Sequence, residues 1–250
     1  MPRIRIIPCL LLRGNGLIKT RRFKDPVYIG DPVNAVRIFS EKEADELVLL
    51  DVDASREGRE PNYALIEEIA SECFMPVAYG GGIRTLAQVR TILRCGIEKV
   101  VINSVTAEST DVISQAAETF GSQAVVAAVD VRKSLLGSYR VVVKSATEDL
   151  RVGLLDHVQR LVAAGAGEIF LNSVDRDGMM AGYDIDLLKS VTGRVAVPVV
   201  ACGGAGSTTH FVEAIREGGA SAVAAGSLFV FHGKHKAVLI SYPTGTVLEG

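Results

Sequence analysis

The stretch "IRIIPCLLLRGNGLIKT" (residues 4–20) decides the fold of this chain. Its first half is a nearly continuous apolar run that reads as a buried strand, and it ends at the turn signal "RGNG". An open, doubly wound α/β sheet would continue from such a strand through a G-x-G-x-x-G turn into a helix. Here the turn is followed by "LIKT", which reads as another strand, so that architecture is disfavoured. Working outward, strand patterns recur at 4–11, 46–51, 76–79, 98–102, 124–129, 168–172, 197–201 and 221–225. Between them lie amphipathic segments such as "PVNAVRIFSEKEA", "NYALIEEIASEC", "LDHVQRLVAAGAG" and "THFVEAIREGGA". Eight strand–helix units with near-continuous apolar strands indicate an all-parallel sheet covered by helices. Eight is also the number that closes a (β/α)8 TIM barrel, and 250 residues is a typical length for one. The expected fold is therefore an α/β protein made of one such barrel spanning residues 1–250.

Composition narrows the function classes. A formal net charge of −2 argues against a nucleic-acid or membrane-surface partner held by bulk charge. The longest apolar runs, such as "VAVPVVAC" (195–202), are too short to cross a bilayer. The basic start "MPRIRIIPCLLLRG" has an apolar run of about seven residues without a small-residue cleavage site, so it does not read as a signal peptide. Cys9, Cys73, Cys95 and Cys202 are scattered, which suits reduced thiols of a cytoplasmic protein. His157, His210, His232 and His235 form no metal-ligand spacing with them. No metal and no cofactor are expected.

The chain repeats itself. "MPVAYGGGIR" (75–84) matches "VPVVACGGAG" (197–206) at an offset of 122, and the same offset brings Glu46 onto Glu168 and Asp53 onto Asp175. Two half-barrels, roughly 1–120 and 121–250, account for this most simply. Each half then supplies one phosphate cradle. Gly81 and Gly82 follow the third strand, with Asn103 and Ser104 after the fourth. Gly203 and Gly204 follow the seventh, with Gly226 and Ser227 after the eighth. Loops 7 and 8 are the recurrent phosphate site of this fold, and glycine lets backbone N–H groups approach an anion. Two symmetric cradles imply a ligand with a phosphate at each end.

Asp130 closes the fifth strand, at the rim where barrel side chains point into the active site. It is the candidate general acid or base. Asp51 and Asp175 end the second and sixth strands, where an aspartate as often braces a loop or caps a helix. The repeat should place a second carboxylate opposite Asp130 in the first strand, but that position is Leu11. At the other rim, Arg5, Glu46, Lys99 and Glu168 fall at strand starts. They read either as solvated strand ends or as a ring of salt bridges around the barrel axis, passable to a small neutral molecule.

Taken together, "RIIPCL", "GDPV", "DELVLLD", "GGGI", "INS", "FGSQAVV", "AGEI", "DRDG…GYD" and "GGAG" resemble the cyclase subunit (HisF) family of imidazole glycerol phosphate synthase over nearly the whole chain. The resemblance implies a lyase of histidine biosynthesis, acting on a bisphosphate ribulosyl substrate at the strand C-termini. It also implies ammonia drawn through the barrel from a glutaminase docked as a heterodimer partner at the N-terminal face. Arg5, Glu46, Lys99 and Glu168 would then be the ammonia gate. Lys19 would be the lysine of a mobile loop closing over substrate, and Asp177 and Gly178 of "DRDG" part of the substrate site. Three departures stand out: Leu11 replaces the family's aspartate, Met179 replaces a hydroxyl residue, and "FHGKHKAVLISYPTGTVLEG" (231–250) lacks a convincing final helix. Relatives of this cyclase are associated with nitrogen insertion into sugars of surface polysaccharides such as lipopolysaccharide. Three functions remain open at this point. They are an ammonia-dependent cyclase acting through Asp130, an idled conduit feeding a third, amide-forming enzyme, and a phosphoribosyl isomerase of the sister family.

Overall fold

The computed structural model describes residues 4–134, 136–233 and 235–243. Eight parallel strands form the ring: β1 (Arg5–Arg13), β2 (Leu47–Asp51), β3 (Val77–Gly80), β4 (Lys99–Ile102), β5 (Val125–Lys133), β6 (Glu168–Ser173), β7 (Val199–Cys202) and β8 (Ala222–Ala225). Each pairs with the next in sequence, and β8 pairs with β1 in the register Arg5 to Ala222. The sheet therefore has no free barrel edge, and the expected (β/α)8 barrel is what forms.

The outer layer consists of α1 (Pro32–Glu41), α2 (Tyr63–Ser71), α3 (Leu86–Arg94), α4 (Asp111–Phe120), α5 (Leu154–Ala163), α6 (Ile185–Thr192), α7 (Thr208–Arg216) and α8 (Ser227–Val230). Local chemistry fixes several starts. The Asp31 carboxylate accepts from the Asn34 N–H just before Pro32 in the first turn of α1, and Thr85 and Gln88 form a reciprocal capping box on α3. Each full helix turns one apolar stripe inward. Phe39 of α1, Phe211 of α7 and Phe229 of α8 are buried together against the barrel wall.

The final helix is one turn long, as "FHGKHKAVLISYPTGTVLEG" suggested. A short hairpin, Phe231–His232 with Ala237–Val238, follows it. The chain then runs back beneath the barrel. The Tyr242 hydroxyl donates to the Ile6 carbonyl at 2.8 Å, and its ring lies 5.7 Å from that of Phe229. An aromatic staple thus covers wall that an eighth full helix would bury. Lys234 and residues 244–250 of this tail lie outside the described residues.

The first strand runs two residues past the expected end at Leu11. It does so because Leu11, Leu12 and Arg13 pair antiparallel with Gly16–Arg21, which pairs in turn with Lys24–Gly30. A second hairpin, Tyr139–Val143 with Glu148–Asp149, extends β5 in the same way and lies outside the eight expected strands. The two tips are alike: Arg22 and Phe23 have positive φ, and so do Lys144 and Ser145, each 122 residues later. Both hairpins rise from the C-terminal rim.

Inside the ring, side chains alternate along each strand, so every second residue faces the lumen. On β6 the inward series is Glu168, Phe170, Asn172; on β4 it is Lys99, Val101, Asn103; on β5 it is Val126, Ala128, Asp130. The middle of the lumen is apolar, built from Ile7, Val48, Ala78, Val101, Val126, Ala128, Phe170, Val200, Ala222 and Ala224. Charged side chains lie below this layer and polar ones above it.

Candidate active site

A cavity of about 340 Å³ opens at the C-terminal rim between the two hairpins. Every residue expected to hold substrate or move a proton lines it. Those residues are Asp130, Lys19, Gly81, Gly82, Asn103, Ser104, Asp177, Gly178, Gly203, Gly204, Gly226 and Ser227. Leu11 lines it too, packed on the apolar layer with Leu50 and Cys202.

Asp130 is held from both sides. The Asn103 amide donates to its Oδ2 at 2.7 Å, and the Asn172 amide donates to its Oδ1 at 3.0 Å. Burial pushes its pKa up to about 6. The two amide N–H groups oppose that rise by stabilising the anion, and the nearby Asp177 charge adds to it. The result is a fixed carboxyl that changes protonation near neutral pH, which suits proton transfer. Asp177 is also raised, first by burial, against the pull of the Thr20 hydroxyl and the Lys19 ammonium. The mouth therefore holds two interacting carboxyls, although Leu11 contributes none.

Close backbone approach accounts for two of the glycines in these loops. A Cβ on Gly81 would lie 2.5 Å from the Asp51 carbonyl oxygen, and a Cβ on Gly203 would lie 2.6 Å from that of Ser173. Both have positive φ, so the backbone can fold this tightly over the preceding strand only with glycine. Other expected residues have partners inside the protein. The Gly82 N–H donates to the Ser55 hydroxyl at 3.2 Å, and the Ser104 hydroxyl accepts from the Lys144 N–H at 3.3 Å. Ser55 and the hairpin carrying Lys144 escaped the sequence reading. Asp51 lines the cavity as well, with its carboxylate engaged: it accepts from the Asp53 and Ala54 N–H groups and meets Arg59, while Asp175 accepts from the Lys133 N–H.

Lys19 points down from the first hairpin. Its buried ammonium donates to the Cys9 carbonyl at 2.5 Å and rests over Gly226. The hairpin is clamped onto the loop after β6. The Arg22 N–H donates to the Asp177 carbonyl at 2.9 Å, and the Thr20 hydroxyl donates to the Asp177 carboxylate at 2.7 Å. Met179, also on that loop, meets the Arg21 guanidinium through its sulfur at 3.8 Å.

At the opposite end the four charged residues meet. Arg5 pairs with both Glu46 and Glu168, and Lys99 reaches the same two carboxylates at 2.8 and 3.4 Å. The charges alternate in sign around the axis and close the lumen below the apolar layer. Glu46 and Glu168 are buried, so each depends on its two cations to offset desolvation. Among the described residues, no group of three or more His, Cys, Asp or Glu side chains could hold a metal ion, and no helix is long and apolar enough to cross a membrane.

A barrel with two glycine cradles, a rim aspartate and a charged floor matches one family profile, that of the histidine biosynthesis proteins, over residues 5–236. The chain belongs to that family. It is 54% identical to a Pseudomonas aeruginosa protein provisionally named imidazole glycerol phosphate synthase subunit hisF2, with 100% of this chain and 99% of the relative aligned. A similarly named Leptospira borgpetersenii protein is 52% identical, over 100% of this chain and 98% of its own. The imidazole glycerol phosphate synthase subunit HisF of Caulobacter vibrioides is 44% identical, over 92% and 89%. Asn172 is a further cavity residue that sequence reading missed. Its signal was present: it stands four residues beyond Glu168 on β6 and so shares its inward face.

Proposed function

We propose that this chain is a HisF-like synthase subunit of the imidazole glycerol phosphate synthase type, receiving ammonia from a glutaminase partner through the barrel. The observation that carries the reading is the coaxial stack of three layers. A four-charge floor lies under an apolar lumen, which opens on Asp130 between two glycine cradles. The floor is the face on which the glutaminase would dock as a heterodimer. The apolar layer would pass neutral ammonia more readily than ammonium, because a bare charge there would be desolvated without a partner. The two cradles, which we attribute to duplicated half-barrels at about 1–120 and 121–250, would hold the phosphates of a bisphosphate ligand. Lys19 on its clamped hairpin would cover that ligand. The proposed setting is the cytoplasm, where four free thiols stay reduced.

Leu11 favours a second reading of the same scaffold. A side chain that cannot exchange a proton stands where the repeat calls for Asp130's partner. Loss of one general acid or base costs about 10²–10⁴ in rate. The chain would then act chiefly as a conduit, handing ammonia to a separate amide- or amidine-forming enzyme of surface-polysaccharide sugar synthesis.

Two measurements separate the readings. Turnover of the bisphosphate ribulosyl substrate by the isolated chain with ammonium salt supports the cyclase, and a strong rise with Leu11→Asp identifies an idled one. In the complex with its glutaminase, Asp130→Asn leaves ammonia delivery unchanged under the conduit reading, whereas Lys99→Ala disturbs it. Delivery indifferent to Lys99→Ala sinks the proposed path.

A further inference from the structure

Asn172 is 7% exposed, and its two amide atoms are treated unequally. The N–H group donates to Asp130, but Oδ1 is buried without a partner, in a side chain that lines the cavity. The reverse orientation would set an amide oxygen against a carboxylate oxygen, so the acceptor is the atom left over. A buried acceptor without a donor costs free energy unless something fills the place. Position 203 keeps that oxygen uncrowded: Gly203 stands on the neighbouring loop, and a Cβ there would lie 2.8 Å from it. The site wants an N–H or O–H donor small enough to sit beside Asp130.

Its place on β6 says which donor. Glu168 belongs to the floor, Phe170 to the apolar layer and Asn172 to the mouth, at alternate positions of one strand. A small molecule rising from the floor meets only hydrocarbon and thiol groups until it reaches the level of Asn172 and Asp130. We propose that Asn172 receives the nitrogen nucleophile there, its Oδ1 accepting one N–H of ammonia while its own N–H holds Asp130 in place. This deepens the synthase reading above, in which ammonia arrives through the barrel, and rests on it. Ammonia that donates one N–H to Asn172 and a second to Asp130 keeps its lone pair for a ligand lying across the cradles. Asn172 thus acts as a positioning residue with two linked tasks, seating the nitrogen and orienting the carboxylate.

The test is a salt titration of the unaltered chain followed by nuclear magnetic resonance of the Asn103 side-chain amide, which shares Asp130 with Asn172. Ammonium chloride should move that signal saturably. Potassium chloride, with a cation of similar size and no N–H, and tetramethylammonium chloride should not. Asn172→Leu should weaken the ammonium response about tenfold, the loss of one buried hydrogen bond. Asn172→Thr, whose hydroxyl both donates and accepts, should restore most of it. The inference is overturned if potassium reproduces the response, or if Asn172→Leu responds as the unaltered chain does. The three-salt comparison decides the matter even where Asn172→Leu folds poorly. Because ammonium comes from bulk solvent, a negative result removes the seat and leaves the conduit standing. The conduit fails separately, in the glutaminase-coupled assay.

Discussion

Replacing Asp130 with asparagine should make the protein more stable, and by an amount that depends on pH in a defined window. Burial raises the pKa of Asp130 from 3.8 to about 6, so the folded state resists its ionisation. For an acid shifted upward the sign runs against stability at high pH. Below about 4 the group is protonated in both folded and unfolded chains and contributes nothing. Between 4 and 6 the unfolded chain releases the proton while the folded one keeps it, and stability falls as pH rises. Above 6 the penalty is complete. At about 1.4 kcal/mol per pH unit, the interval amounts to about 3 kcal/mol. Asp130→Asn removes the charge, and the Asn172 amide can turn its free oxygen towards the new N–H. Urea denaturation of both proteins from pH 4 to pH 8 isolates the effect, since most other titrating groups cancel in the difference. The stability gain of the variant should grow by roughly 3 kcal/mol across the window and then level off. A flat difference would mean that Asp130 is ionised at little cost, and the assignment of a group poised near neutral pH would be wrong.

Other expectations follow from the same geometry. Gly81→Ala and Gly203→Ala should each cost about 1–3 kcal/mol in chemical denaturation, because both force a Cβ onto a carbonyl oxygen at positive φ; a neutral result at either site refutes the tight cradle. Gly226→Ala, at negative φ, should change stability by less than about 1 kcal/mol. It should nonetheless push the Lys19 ammonium off its seat, seen as faster tryptic cleavage at the Arg21–Arg22 tip; unchanged cleavage contradicts that clamp. Lys99→Ala leaves Glu46 and Glu168 to Arg5 alone and should destabilise the protein by about 2 kcal/mol or more. A loss below about 0.5 kcal/mol would mean the floor behaves as an exposed surface network.

The barrel was legible because its signal is repetitive: eight apolar runs, each followed by an amphipathic helix, leave few alternatives. The mouth was legible through residues whose chemistry is tied to position, such as glycines forced by close backbone approach and a carboxylate at a strand end. Tyr139–Val143 was missed although Val141, Val142 and Val143 are buried, because a short apolar run with no amphipathic helix after it falls outside the strand–helix rhythm. The balance between Asp51 as brace and Asp130 as proton carrier was open for a related reason. Both are aspartates at strand ends, and only their neighbours differ: backbone N–H groups and Arg59 for one, two asparagine amides in a cavity for the other. Asn172 was overlooked because a lone asparagine in a strand carries no motif until its inward register is known.

The tyrosine that replaces the last helix has a consequence of its own. Tyr242 bonds to the backbone of Ile6, one residue from Arg5, and also to the side chain of Asp45, one residue from Glu46. Tyr242 thereby ties down the immediate neighbours of two of the four charged corners. Displacing Tyr242, whether by a docking protein or by a cleavage just before it, would free Ile6 and Asp45 first and reach the charged floor through their neighbours.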